Sequence, residues 1–270
     1  MSAPICVHCV TGDRIPGEPR GKIEKIGPFE TYIATPKEPR EDAKTHAIVS
    51  FTDVFGLGLV NNKIYADLLA DDSGITVYVP DLFNGKPLSS ADIKLPQSTK
   101  EAESQSYFSK ISEGLKLITV LPWIARNWPT GKHANSEKFI EALRKDKSAE
   151  KIGAIGFCYG ANICVHLDST SKTNASVLNH PSLLSFDQYK TLKSPTLFNC
   201  AETDTQFTPK LRGQVQKFLD DEKSAPAHDF KVFDNTFHGF ACRPNFADEQ
   251  VRKGFEEALG RTSWWFKSHL

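Results

Sequence analysis

Neither sign of charge dominates this chain: lysine plus arginine and aspartate plus glutamate each number 33 in 270 residues. A balance of that kind leaves no electrostatic footprint for nucleic acid or an anionic membrane surface. No apolar run approaches the ~20 residues that a membrane span requires. Met1-Ser2-Ala3-Pro4-Ile5-Cys6 has no charged stretch followed by an apolar one, so no secretory signal is legible. Six cysteines in a chain this long are too few for a disulfide framework and read as reduced thiols in a cytoplasmic protein. Cys6-Val7-His8-Cys9 is half of a zinc pattern, but no second CxxC or HxxxH pair completes it. A closed zinc site needs four ligands, so a non-metal N-terminal segment is the preferred reading. Repeats and low-complexity tracts are also absent.

What remains is a globular composition. An apolar content of 39% with 10% aromatics supports a substantial core in one large α/β domain or two small ones. Residues 1–20 are rich in glycine and proline and read as a surface segment, with a single domain over 21–270. Lys22–Ile26 and Phe29–Ala34 around Gly27-Pro28 read as an opening hairpin. Short apolar runs at 46–51, 75–79 (stopped by Pro80), 151–155, 175–179 and 196–200 read as buried strands, with 229–233 as the last. Helical spacing covers 61–70, roughly 100–126 with a break near Pro122, 136–145, 208–221 and 249–267. In the last, Phe255, Leu259, Trp264 and Trp265 are the expected apolar contacts. Alternating strands and helices predict a mostly parallel sheet covered on both faces. Ligands then bind beyond the carboxyl ends of the strands.

Gly156-Phe157-Cys158-Tyr159-Gly160 is the most informative stretch. A buried strand runs into it and a helix leaves it, which is the strand–turn–helix nucleophile elbow of the α/β-hydrolase fold, with cysteine in place of serine. Flanking small residues let strand and helix approach closely, and the helix N-terminus favours a thiolate and a developing oxyanion. The bland alternative is a buried structural cysteine in a βα turn.

A cysteine nucleophile needs a base, and the base an orienting group. In this fold the chain order is nucleophile, acid, histidine. Asp204 follows the strand at 196–200 and is the preferred acid, with Glu202 its competitor. His238, next to Gly239 and after the last strand, is the candidate base. The oxyanion hole draws one N–H from Tyr159 and a second from Val54, in the loop after an early strand. Asp53 in that loop reads either as a carboxylate that modulates the Cys158 thiol or as a cap of the following segment. His180 reads equally as a substrate contact or a structural hydrogen-bonder. Phe83, Tyr107, Phe108 and Trp123 are apolar candidates for a pocket lining, although such spacing also describes core.

With those residues assembled, the chain resembles the dienelactone hydrolase family (carboxymethylenebutenolidases), most closely its fungal, eukaryotic-type branch, from about Gly21 to the C-terminus. The carriers are Gly-Phe-Cys-Tyr-Gly at 156–160, Thr-Asp-Val-Phe-Gly at 52–56 and Val-Pro-Asp-Leu-Phe at 79–83. His-Pro-Ser at 180–182, Glu-Thr-Asp at 202–204 and His-Gly-Phe at 238–240 complete the set. The resemblance implies an eight-stranded α/β-hydrolase core without metal or cofactor. It implies a Cys158–His238–Asp204 triad working through an acyl-enzyme, and a carboxylate that quiets the thiol until substrate arrives. Bacterial members use glutamate there, and Asp53 is one methylene shorter. Two arginines that clamp the carboxylate of dienelactone in bacterial members fall at Gly85 and Cys242 here, with Lys86 and Arg243 adjacent as possible replacements.

The expected protein is therefore a hydrolase of lactones or activated carboxylic esters acting on a small molecule, as a monomer or homodimer. A thioesterase or general carboxylesterase would use the same triad. A small-molecule binder or redox-responsive protein would use Cys158 differently, but has no need of Asp204 or His238.

Overall fold

The computed structural model describes residues 13–89 and 121–270. Eight strands, β1 (Lys22–Ile26), β2 (Phe29–Ala34), β3 (His46–Phe51), β4 (Val77–Pro80), β5 (Lys151–Phe157), β6 (Ala175–Asn179), β7 (Thr196–Thr203) and β8 (His228–Phe237), form one sheet in the order β1-β2-β4-β3-β5-β6-β7-β8. β2 is antiparallel to both its neighbours, and every other adjacent pair is parallel. This is the α/β-hydrolase arrangement that alternating apolar runs and helices imply.

Among the described residues, the helices α1 (Val60–Ser73), α2 (Thr130–Lys147), α3 (Tyr159–Ser169), α4 (Phe186–Tyr189), α5 (Pro209–Asp221) and α6 (Glu249–His269) flank the sheet. Side chains alternate across a strand, and the buried apolar residues accordingly divide between two cores. Ala47, Val49 and Phe51 of β3 join α2, α3 and α5 on one face. Ile48 of the same strand joins α1 and α6 on the other. The helix ends follow local chemistry. Gly74 stops α1 at φ 70°, a left-handed cap suited to glycine. Thr208 Oγ1 accepts from Leu211 N–H ahead of α5, with Pro209 in its first turn.

Several boundaries depart from the sequence pattern. Pro80 ends β4 from inside, opposite Thr31 of β2, because proline is tolerated at the end of a ladder. The helix expected at 136–145 begins at Thr130. Residues 121–126 are helical with Pro122 within them, while the expected helix from Lys100 to 120, with Tyr107 and Phe108, lies outside the described residues, as do Cys6 and Cys9. Trp264 is 54% exposed, and it is Trp265 that α6 buries. Both C-terminal strands run longer than their apolar cores. β7 reaches Thr203 and β8 reaches Phe237, with a register irregularity between Ala201 and Thr203. No helix among the described residues is long and apolar enough to cross a membrane.

Candidate active site

The elbow is built from close backbone approaches. Cys158 sits between β5 and α3 at φ 52° and ψ −110°, a strained conformation for a residue with a side chain. Gly156 and Gly160 make the turn possible. A Cβ on Gly156 would lie 2.5 Å from Ala161 N, and one on Gly160 would lie 2.0 Å from the Phe51 carbonyl oxygen. That contact draws the elbow onto the end of β3, whose following loop carries Asp53 and Val54. Tyr159, the first residue of α3, and Val54 then flank Cys158 on the wall of one cleft.

The register of β7 and β8 sets the other two residues. Thr203 pairs with Phe237, so the next residue of each strand, Asp204 and His238, emerges side by side. Asp204 Oδ2 lies 2.8 Å from His238 Nδ1, with both side chains buried. The other oxygen, Asp204 Oδ1, accepts from the N–H groups of Gln206 and Phe207, which fixes the carboxylate plane. Burial pushes the His238 imidazole toward its neutral form, but the charges of Asp204 and of the Cys158 thiolate outweigh it and hold its pKa well above the ordinary value. Glu202 is exposed within β7 and accepts from Asn235 N–H at 2.7 Å. The structure thus joins Asp204 to the histidine and turns Glu202 to solvent.

Asp53 is fully buried. Its Oδ1 accepts from Phe55 N–H at 3.2 Å, the capping contact, and from Asn62. Its Oδ2 faces Arg243 Nε at 3.1 Å and the Cys242 thiol at 3.6 Å. Burial raises the Asp53 pKa, Arg243 opposes that, and the nearby Cys158 thiolate adds to it. Burial likewise pushes the Cys242 thiol up, reinforced by Asp53.

A cleft open to solvent lies above Cys158, lined by Val54, Trp123, Ile124, Trp128, Leu183 and Gln206 among others. Four candidates for substrate contact are not among its lining residues. Arg243 is buried, ion-paired to Asp53 and laid over the Phe55 ring at 5.0 Å. Lys86 is exposed, and what it contributes is its carbonyl, which accepts from Trp123 Nε1 at 2.8 Å. His180 is buried behind His238, the two rings 4.9 Å apart. Burial, with the charges of His238 and Arg243, keeps the His180 pKa well below the ordinary value, which favours the neutral ring. Phe83 sits one layer back, 5.4 Å from the Tyr159 ring. Trp123 does line the cleft. Sequence reasoning missed Ser182, Leu183 and Trp128. Ser182 lies within a quoted motif, but nothing in the local pattern marks it as a neighbour of Cys158.

A family model described as the dienelactone hydrolase family matches residues 29–270. The chain belongs to the dienelactone hydrolase family. Its hydrolase relatives include Dienlactone hydrolase 1 of Gibberella moniliformis, 28% identical and covering 96% of this chain and 94% of that one. Hydrolase pyvD of Aspergillus violaceofuscus is 26% identical across 100% of this chain and 98% of its own. Among solved structures, a candidate dienelactone hydrolase from Klebsiella pneumoniae superposes with a TM-score of 0.64 at 16% identity, covering 89% of this chain and 93% of that one, a likeness of fold. Membership makes this protein a hydrolase of carboxylic esters or lactones.

Proposed function

We propose that this dienelactone hydrolase family member works through an acyl-enzyme on Cys158, with His238 carrying the proton and Asp204 orienting it. The supporting observation is the buried 2.8 Å Asp204–His238 pair, set at the ends of adjacent strands and electrostatically coupled to the elbow cysteine. His238 Nε2 takes the thiol proton, and Sγ attacks the carbonyl carbon as the C=O electron pair moves to oxygen. The N–H groups of Tyr159 and Val54 receive that oxyanion. Collapse breaks the C–O bond, and the leaving alkoxide takes the proton from His238. Water then attacks the thioester while His238 removes its proton. The second tetrahedral intermediate expels the Cys158 sulfur, which recovers that proton. The buried charge of Asp53 opposes premature ionisation of the thiol.

The cleft sets the substrate. Indole and aliphatic surfaces from Trp123, Trp128, Ile124 and Leu183 favour an apolar, uncharged acyl group. Arg243, the candidate partner for a substrate carboxylate, is engaged by Asp53. Neutral esters and lactones are therefore preferred over the anionic dienelactone. The free thiols among the described cysteines suit a reducing, cytoplasmic setting.

The test is hydrolysis of p-nitrophenyl acetate, a thioester analogue and both dienelactone isomers by wild type beside Cys158→Ala. Turnover abolished in the variant is expected, with the neutral esters the better substrates; retained turnover sinks the mechanism.

A further inference from the structure

The segment that joins β6 to α4 is pressed against the elbow in a conformation that needs explaining. His180 has φ 36° and Leu183 φ 57°, and Pro181 stiffens the chain between them. Non-glycine residues in this region persist only where their surroundings fix them, and such sites cluster around function. Three hydrogen bonds do the fixing. His180 N–H donates to Asn199 O of β7 at 2.8 Å, and Ser182 N–H donates to the carbonyl of Cys158 itself at 3.2 Å. Asn162 Nδ2, from the first turns of α3, donates to Leu183 O at 2.6 Å. Two of the three ties go to the nucleophile and its helix.

Their joint result is one contact. Ser182 Oγ lies 3.3 Å from Cys158 Sγ, an ordinary separation for a hydrogen bond to sulfur, and Ser182 is only 4% exposed. Both residues line the cleft. A buried hydroxyl requires a partner, and packing alone at this point would be met equally well by alanine.

We propose that Ser182 is a positioning residue for the nucleophile: the strained turn over 180–183 delivers its hydroxyl to Cys158, where it donates to the thiolate. The inference rests on Cys158 being the nucleophile. A serine hydroxyl rotates freely and both donates and accepts. Toward the neutral thiol it accepts. Once His238 has removed the proton it turns and donates to the sulfur anion. The same donor receives the thiolate expelled in deacylation, so both half-reactions gain from it. No covalent bond to Ser182 forms.

The experiment follows the rate of Cys158 alkylation by iodoacetamide against pH, with the modified residue identified by peptide mass. Hydrogen bonds to charged groups are strong enough to displace an ionisation midpoint by about one pH unit. Ser182→Ala and Ser182→Gly are expected to raise the midpoint by about that amount, leaving roughly tenfold less thiolate at neutral pH, while Ser182→Thr, which keeps the hydroxyl, holds the wild-type midpoint. An unmoved midpoint in either folded hydroxyl-free variant overturns the proposal, as does an equal rise in the threonine variant. If neither hydroxyl-free variant folds, Asn162→Ala unties Leu183 with the serine in place. The same upward shift is expected, and a wild-type midpoint there overturns the proposal. Alkylation uses no ester, so a failure of this contact and a failure of the hydrolytic mechanism are separate results.

Discussion

Replacing Gly160 with alanine tests whether the elbow depends on backbone contact. The added methyl carbon would sit 2.0 Å from the Phe51 carbonyl oxygen, 2.5 Å from its carbon and 2.8 Å from Thr52 O. All three are backbone atoms of the β3 end, and Phe51 is held in register with Gly156 of β5, so no side chain can swing aside. About 1 Å of separation must open before the oxygen contact reaches even 3.0 Å, and only α3 or the 52–55 loop can supply it. Overpacking of this kind costs about 1–3 kcal/mol and sometimes more. The catalytic cost is comparable: a 1 Å displacement parts Tyr159 from Val54, and misplacement on that scale costs on the order of 100-fold in rate, about 2.7 kcal/mol. Urea denaturation and ester turnover measure the two effects. Gly213→Ala is the control: it lies exposed within α5 with nothing within 4 Å of its added carbon, and should gain up to about 1 kcal/mol. A Gly160→Ala protein with wild-type stability and turnover would refute the account of the elbow.

Asp204→Asn should lower kcat by roughly 10⁴-fold by mis-setting the His238 tautomer, whereas Glu202→Gln, at the exposed position, leaves turnover intact; steady-state kinetics separate them. Arg243→Met strands the buried Asp53 charge and should cost about 3–5 kcal/mol in urea titration, with Asp53→Asn in the same chain recovering much of it. His180 gives a pH dependence. Its folded pKa lies well below the ordinary value, so below about pH 6.5 the unfolded chain binds a proton that the folded state refuses. Its contribution is complete above the unfolded pKa and is lost as pH falls toward the folded one, at about 1.4 kcal/mol per pH unit. His180→Gln should flatten that slope in urea titrations between pH 7 and pH 5, and an unchanged slope would count against a neutral buried ring.

The strand-to-helix turn at 156–160 was legible because glycine, cysteine and apolar runs each carry a local signal. The strand ends were not. Glu202, Asp234 and Asn235 are polar residues within β7 and β8, so apolar periodicity stopped at Cys200 and Phe233 and left Asp204 and His238 apparently out in loops. The pairing of Arg243 with Asp53 was illegible for a different reason. A cation is expected at the surface, and its partner Asp53 is 190 positions away, a distance across which no spacing rule operates. Ser182 stood in a quoted motif, but its contact with Cys158 depends on a turn conformation that its neighbours' identities do not encode.

The pairing of Thr203 with Phe237 carries a consequence for altering the enzyme. Asp204 and His238 each follow one member of that single paired rung, so their spacing is independent of the length of chain that connects them. The loop after α5, between Asp221 and His228, is accordingly the place to insert a reporter or graft a recognition segment while sparing the Asp204–His238 pair, whereas the loop before α5 carries the Gln206 and Phe207 N–H groups that hold Asp204. A single-residue insertion within 197–203 or 229–237 would slip one strand against the other and silence the enzyme while leaving its fold recognisable.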